Sequence, residues 1–240
     1  MHDRYSRQII LPEIGENGQS KLSSSKAIIV GAGGLGSIVL YYLAAAGIGQ
    51  IKIIDSDKVD ITNLNRQLIH YEADIGKEKS KSAMEKLQRF NSEINVTESS
   101  ISLNTENING HIFNCDIVVA CVDNKKTRIL LNSHCVNKNI PLIDGGINGF
   151  EGYVLTILPG ITPCFSCLFH ESKEISIPIG VIGAAVGVIG SMMALQTVKT
   201  LLGVKMDYFL YYVDLMSLRI LPMAYNKNPN CPICGFKKTK

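Results

Sequence analysis

Residues 27–36 read AIIVGAGGLG and decide the fold. The first four are uniformly apolar, which is typical of a strand buried on both faces of a parallel sheet. The apolar, Ala-rich run 38–46 then predicts a helix. Between them the Gly-x-Gly-x-x-Gly pattern places four glycines: Gly31, Gly33, Gly34 and Gly36. Glycines between a strand and a helix let backbone amides approach a phosphate, so this stretch predicts a nucleotide site in a Rossmann-like α/β fold.

The rest of the chain extends this pattern. Further apolar strands are predicted at 51–54, 95–100, 117–122 and 142–143, with helices near 77–91 and 125–137. After Gly152 the pattern changes to short strands at 153–158, 208–213 and 218–221, with a Gly-rich helix before the last two. We therefore expect a mostly parallel sheet with helices on both faces, extended by mixed or antiparallel strands.

The composition of the chain limits the number of domains and the classes of partner that can be expected. The 240 residues are 46% hydrophobic and 19% charged, with no Pro/Gly/Ser-rich linker, so we expect a single domain. The net charge of +3 is scattered, which argues against a nucleic-acid partner. The uncharged stretch 175–198 is long enough to span a bilayer, but its glycines and Pro178 favour a buried helix and no membrane partner. No signal peptide is recognisable, so the cytoplasm is the expected location.

Polar residues near the predicted strand ends indicate which nucleotide chemistry is present. Asp55 ends the second strand, where an acid meets a ribose hydroxyl in NAD dehydrogenases and ATP enzymes alike. It is followed by a polar set that a hydride transfer does not need: Asp57, Asn63, Arg66, Lys79 and Asp123. Joining a carboxylate to the α-phosphate of ATP brings two anions together and releases pyrophosphate. Arg66 and Lys79 can neutralise that charge and Asp123 can hold Mg²⁺, although each alone is equally typical of a surface ion pair.

Four of the seven cysteines form two Cys-x-x-Cys pairs: Cys164, Cys167, Cys231 and Cys234. Two such pairs predict a closed tetrahedral Zn²⁺ site that ties the C-terminus to the body of the protein. A redox dithiol or an iron–sulfur cluster is the alternative. Of the other cysteines, Cys121 is expected in the core, and Cys115 and Cys135 beside core elements.

Taken in order, these motifs resemble the ThiF/MoeB/HesA enzymes, bacterial relatives of ubiquitin-activating enzymes. The resemblance covers nearly the whole chain and rests on these stretches: 4–9, 31–36, Asn63-x-x-Arg66-Gln67, Asp123-Asn124-x-x-Thr127-Arg128, Gly180-Val181-x-Gly183 and both cysteine pairs. It implies a homodimer that uses ATP and Mg²⁺ to adenylate the C-terminal glycine of a small ubiquitin-like protein ending in Gly-Gly, similar to ThiS or MoaD. Three parts follow from the resemblance: an N-terminal helical segment (1–26), a nucleotide-binding half (27–150) and a partner-binding half (151–240).

The resemblance also implies roles for single residues. Asp55 is expected to hold the ribose, and Asn63, Arg66 and Lys79 to contact the phosphates. Asp123 is expected to serve Mg²⁺ and the reacting centre. Arg7 is expected to reach the nucleotide of the neighbouring subunit.

One departure concerns covalent chemistry. Many relatives carry a cysteine shortly before Gly-Val-x-Gly, where this chain has Ser176. Adenylation without an enzyme–partner thioester is therefore expected. Three other functions stay open, namely adenylation of a short peptide in natural-product biosynthesis, a non-catalytic dinucleotide-binding module and a Rossmann dehydrogenase.

Overall fold

One mixed sheet organises the protein, for which the computed structural model describes residues 3–169, 180–206 and 209–235. The strands in these residues are β1 (Lys26–Val30), β2 (Gln50–Ile54), β3 (Asn95–Ser99), β4 (Ile117–Ala120), β5 (Leu142–Asn148), β6 (Glu151–Ile157), β7 (Leu210–Asp214) and β8 (Arg219–Met223). Their order is β3-β2-β1-β4-β5-β6-β7-β8. Pairing is parallel from β3 to β5 and antiparallel from β5 to β8, which confirms the predicted fold class.

Helices cover both faces of this sheet. They are α1 (Ser6–Ile9), α2 (Gly15–Ser24), α3 (Gly34–Ala46), α4 (Lys79–Phe90), α5 (Ile108–His111), α6 (Lys125–Lys138), α7 (Phe165–Phe169) and α8 (Gly183–Leu202). Alternate residues of β1 point to opposite sides, so Ala27 and Ile29 join a core with α2, α3, α4 and α8. Ile28 and Val30 join a second core with α5, α6 and α7. This two-sided burial explains why the strands read as continuous apolar runs.

Strand β5 is longer than the predicted 142–143, and β4 ends at Ala120, two residues earlier than expected. The antiparallel partner β6 accounts for the extension, because it pairs with β5 as far as Asn148. Gly145 and Gly146 concealed the strand in the sequence. Both are needed for close packing, since a Cβ at Gly145 would overlap Met193 and one at Gly146 would lie 2.6 Å from the Tyr153 ring.

Helix α8 corresponds to the apolar stretch that resembles a membrane span, whose residues 175–179 lie outside the described ranges. By length and composition it is the one described helix that can cross a bilayer, and half of its apolar window is buried in the protein. Val186, Ile189 and Met193 belong to the core, and a Cβ at Gly190 would lie 2.8 Å from Ile38 of α3. Gly190 thus serves close helix packing, as the sequence indicated for the glycines of this stretch, whereas a Cβ at Gly187 would meet open space.

Candidate active site

A crevice lies at the C-terminal ends of β1 and β4, where the direction of the strand order reverses. From β1 the chain moves outward to β2 on one side and later to β4 on the other, so the loops after β1 and β4 diverge. Ligands of open α/β sheets bind at such a switch point. A cavity of about 1230 Å³ lies here. It is bounded by the stretch 31–36 after β1, called the glycine loop below, and by Asp123 after β4.

Most of the predicted site residues line this one cavity. They are Gly31, Gly33, Gly34, Asp55, Asp57, Arg66, Lys79 and Asp123. The remaining three are placed differently. Gly36 lies inside the turn, Asn63 accepts a hydrogen bond from the Asp60 N–H (3.2 Å), and Arg7 is exposed on α1, outside the cavity lining of its own chain.

The glycine loop needs its glycines for steric reasons. Gly31 has φ +98°, and a Cβ there would lie 2.5 Å from the Cys121 carbonyl oxygen. A Cβ at Gly36 would overlap the Gly31 carbonyl, and one at Gly34 would lie 2.8 Å from Val186 of α8. The tight turn brings the N-terminus of α3 against β1 and β4, so its amides face the crevice.

Asp55 holds two loops together. Its Oδ2 accepts the Ala32 N–H at 2.7 Å and its Oδ1 accepts the Asp57 N–H at 2.8 Å. Burial raises the pKa of Asp55 above its ordinary value, while both N–H donors and the Lys79 charge act in the opposite direction. Each oxygen keeps a second lone pair that can accept a hydrogen bond from a ligand.

Two cations flank the glycine loop. The Lys79 side chain is only 8% exposed, and its Nζ donates to Asp57 Oδ2 at 2.9 Å. Half-buried Arg66 donates from Nη1 to the Thr62 carbonyl (2.9 Å) and to Asn65 Oδ1 (3.0 Å). Because both side chains are held by neighbouring oxygens, their charges are fixed at the cavity lining.

A buried network behind Asp123 was not predicted. Arg128 of α6 forms an ion pair with Asp144 of β5 and donates to the carbonyls of Gly145 (2.8 Å) and Val122. The Tyr153 hydroxyl donates to Asp144 Oδ2 at 2.7 Å, and burial raises its pKa well above the ordinary value, so it stays a donor. The network fixes the peptide that precedes Asp123. In the sequence, Arg128 was part of a motif that carried the resemblance, but no role was predicted for it. The only signal for Asp144 was its charge directly after the apolar pair 142–143.

The four paired cysteines come together as predicted. Their Sγ atoms all lie within 4.8 Å of one another. Individual separations are 4.0 Å for Cys164–Cys167, 3.6 Å for Cys164–Cys231 and 3.3 Å for Cys167–Cys234. A disulfide would require about 2.05 Å. Tetrahedral Zn–S bonds of about 2.3 Å place sulfur atoms roughly 3.8 Å apart, so the donor set fits a thiolate metal site.

This cysteine cluster also shapes the cavity. Helix α7 begins between Cys164 and Cys167, and its residues Phe165, Leu168 and Phe169 form one wall. Buried Asn132 supports the same turn, because its Oδ1 accepts the Phe165 N–H (3.0 Å) and its Nδ2 lies 3.5 Å from Cys164 Sγ. The far end of the cavity is apolar and is formed by β7 and β8 through Leu210, Tyr212, Leu221 and Met223.

The three other cysteines are poorly suited to covalent chemistry. Cys121 is buried as predicted, and burial strongly raises the pKa of its thiol although it borders the cavity. Cys135 is fully buried on α6. Cys115 is half-buried two residues before β4 begins, so it lies at the opposite end of this strand from Asp123. Burial and the nearby Asp116 raise the pKa of Cys115 to about 11.

A glycine turn at the switch point, with acids and cations on either side, defines an α/β enzyme that binds a nucleotide. The sequence profile of the ThiF family matches residues 5–233, and the chain belongs to this family. This confirms the resemblance noted in the sequence, and the chain is an adenylyltransferase that uses ATP, which excludes the dehydrogenase and non-catalytic alternatives.

Known relatives span nearly the whole chain. The SAMP-activating enzyme E1 of Haloferax volcanii is 39% identical over 240 residues, which cover 97% of this chain and 88% of the relative. The sulfur carrier protein adenylyltransferase of Thermus thermophilus is 36% identical over 250 residues, with 99% and 92% covered. Among solved structures, E. coli MccB with MccA-N7isoASN superposes with a TM-score of 0.87 at 26% identity, covering 98% of this chain and 76% of that one.

Proposed function

We propose that this protein adenylates the C-terminal glycine carboxylate of a small ubiquitin-like sulfur-carrier protein ending in Gly-Gly. The observation that carries the proposal is the shape of the cavity. It runs from the glycine loop past Asp123 to the apolar end at β7 and β8. Its volume of about 1230 Å³ exceeds the roughly 300–1,000 Å³ of ordinary small-molecule sites, so two ligands can meet inside it.

The site residues divide the reaction between them. Asp55 accepts from the ribose, while Arg66, Lys79 and Asn63 bind the phosphates. A carboxylate oxygen of the partner attacks the α-phosphorus, and the bond from that phosphorus to the bridging oxygen breaks. Pyrophosphate leaves with the electron pair, and Arg66 and Lys79 stabilise its charge. Asp123 would hold Mg²⁺, which would supply positive charge to neutralise the phosphates.

Similarity favours a protein substrate over a peptide. The sulfur-carrier and SAMP enzymes are 36% and 39% identical to this chain, whereas MccB with MccA-N7isoASN is 26% identical. The TM-score of 0.87 to MccB keeps adenylation of a short peptide as the second candidate. The two candidates differ in whether the folded part of the partner is required.

The enzyme acts as a homodimer in this proposal, with Arg7 completing the neighbouring site. Arg7 is exposed on α1, and α3 and α8 expose the apolar side chains of Tyr42 (56%) and Leu195 (58%). Apolar patches of this kind are typical of interfaces. Mixing Arg7→Ala with Asp123→Ala tests it, because only a mixed dimer contains one site with both residues intact. Failure of the mixture to regain activity that neither variant has alone would contradict the dimeric site.

Two further parts of the proposal concern the cysteines. The ion held by Cys164, Cys167, Cys231 and Cys234 is Zn²⁺, which closes the site without an open position. The enzyme releases an acyl-adenylate and forms no thioester, since Ser176, outside the described residues, replaces the loop cysteine of many relatives. The buried or protonated thiols of Cys115, Cys121 and Cys135 offer no substitute.

ATP–pyrophosphate exchange tests the central claim. A β-grasp partner ending in Gly-Gly is compared with the same protein lacking those two residues and with the isolated tail peptide. We expect exchange with the intact partner only. Exchange with the peptide at equal efficiency would favour the second candidate, and no exchange with any Gly-Gly partner would contradict the proposal.

A further inference from the structure

A buried histidine lies directly behind the glycine loop. His70 is 4% exposed and follows the loop that carries Asn63 and Arg66. Its Nε2 lies 2.8 Å from the Ala32 carbonyl oxygen, and its Nδ1 lies 2.9 Å from Ser82 Oγ on α4. The imidazole therefore connects the glycine loop to α4 on the same face of the sheet.

The neighbours of His70 fix its tautomer. A carbonyl oxygen only accepts, so Nε2 carries the proton that faces Ala32. Burial lowers the pKa of His70, and the nearby Lys86 and Lys79 charges lower it further against the opposing effects of the Ala32 hydrogen bond and of Asp74. The neutral ring then accepts from the Ser82 hydroxyl at Nδ1, and Ser82 Oγ accepts from Lys86 Nζ at 2.9 Å.

Ala32 is thus held from both sides. Asp55 accepts its N–H, and His70 donates to its carbonyl. The Ala32 carbonyl and the Gly33 N–H belong to one trans peptide, in which the two bonds point in opposite directions. The Gly33 N–H therefore points away from His70.

The Gly33 N–H has no hydrogen-bond acceptor in the described part of the chain. Among residues 3–169, 180–206 and 209–235, none accepts a hydrogen bond from the Gly33 N–H. Gly33 itself lines the cavity. A donor without a protein acceptor, held at the mouth of a nucleotide site, is suited to an anionic oxygen.

We propose that His70 is a positioning residue that fixes the Ala32–Gly33 peptide so that the Gly33 N–H faces a phosphate of ATP. This inference rests on the proposed binding of ATP at the glycine loop. It predicts that His70 contributes to the binding of phosphates and not to the binding of adenosine.

Calorimetric titration of folded variants with ATP and with adenosine tests the proposal. His70→Leu removes the donor, and we expect about tenfold weaker ATP binding, in line with one hydrogen bond to a charged group. Adenosine affinity should change by less than about twofold, since the ribose and base contacts remain. His70→Gln keeps an N–H that can donate to the Ala32 carbonyl and should retain most of the ATP affinity.

His134 provides a matched control. It is also buried, and its Nε2 lies 2.9 Å from the Ile112 carbonyl, in the core on the other face of the sheet. His134→Leu should cost stability without changing ATP affinity. If His70→Leu does not fold, Ser82→Ala replaces it, because losing the Nδ1 partner frees the ring to tilt and should weaken ATP binding by about threefold.

The outcomes separate this inference from the proposed function. A wild-type protein that binds no ATP contradicts ATP binding at the glycine loop itself. Wild-type ATP affinity in folded His70→Leu, or in Ser82→Ala where it replaces that variant, overturns the role of His70. Equal losses for ATP and adenosine would also overturn it, because they would indicate a general structural defect.

Discussion

The centre of the sheet and its β8 edge bury their strands in opposite ways. All four residues of β4 are buried between parallel neighbours, whereas all five residues of β8 are exposed at the edge. Yet β8 is also apolar, with Ile220, Leu221 and Met223 exposed by 52%, 45% and 44%. An exposed apolar edge is a liability unless another molecule covers it. We therefore expect the centre of the sheet to need no further cover, and a partner to cover the exposed apolar edge at β8.

This difference assigns different tasks to the two regions. Around β1 and β4, polar side chains are fixed by backbone contacts, as Asp55 is by the Ala32 and Asp57 amides. Around β6 to β8 the cavity wall is largely apolar, and the adjoining wall formed by α7 begins at the cysteine cluster. We therefore expect substitutions in the first region to affect chemistry and substitutions in the second to affect stability and partner binding.

The largest effect is expected at Asp123. Asp123→Ala and Arg66→Ala should each reduce partner-dependent ATP–pyrophosphate exchange by about 100-fold, since each removes one charge partner of the transition state. Both residues lie outside the cores, so thermal unfolding should change little. Glu106→Ala, at an exposed acid outside the cavity lining, serves as the control. Robust exchange by Asp123→Ala would contradict the proposal that Asp123 holds Mg²⁺.

The cysteine cluster should show the opposite behaviour. Metal analysis of the wild type should give about one zinc per chain, following the four-thiolate rule. Cys231→Ser should lose the metal and lower the free energy of unfolding by about 4 kcal/mol or more, because metal binding contributes to folding. The KM for the partner should rise because α7, which forms one wall of the cavity, loses its anchor at the metal. ATP affinity should stay nearly unchanged. Cys115→Ser is the control, and bound iron with visible absorbance would contradict the zinc assignment.

Tyr153 tests whether the two regions are coupled. It lies on β6 and reaches Asp144 and Arg128, which fix the loop before Asp123. Tyr153→Phe removes one hydrogen bond to a buried carboxylate, and we expect a loss of roughly 1.5 kcal/mol in unfolding free energy. Exchange should fall by about tenfold if the loop moves. A stability loss with unchanged kcat would show that the network only joins the strands.

Much of the fold was readable from the sequence because its signals are local. A strand buried on both faces is apolar throughout, as 27–30 is, and a tight turn requires glycine, as at Gly31. The cysteine pairs were equally readable, because their spacing of three residues lets each pair meet one ion from a single turn.

What the sequence did not reveal depends on long-range pairing. The extension of β5 to Asn148 is created by β6, and glycines at 145 and 146 argue locally against a strand. Asp144 and Tyr153 meet only because those two strands pair. His70 likewise acts through a carbonyl 38 positions away, so no spacing rule identified it.

The smallest expected effect is an absence of covalent product. Enzyme, ATP and partner are incubated and measured by intact-mass spectrometry with and without reductant. A thioester needs a thiolate near the activated carbonyl. Cys121 borders the cavity, but burial raises the pKa of its thiol. Cys115 lies at the opposite end of β4 from Asp123 and has a pKa of about 11. We therefore expect no mass shift on the enzyme, and Cys121→Ser should keep pyrophosphate exchange. A conjugate that disappears with reductant or hydroxylamine, and is missing in Cys121→Ser, would show that the nucleotide half also supplies a nucleophile. The division between a chemical half and a recognition half would then stand, with one more chemical step in the first.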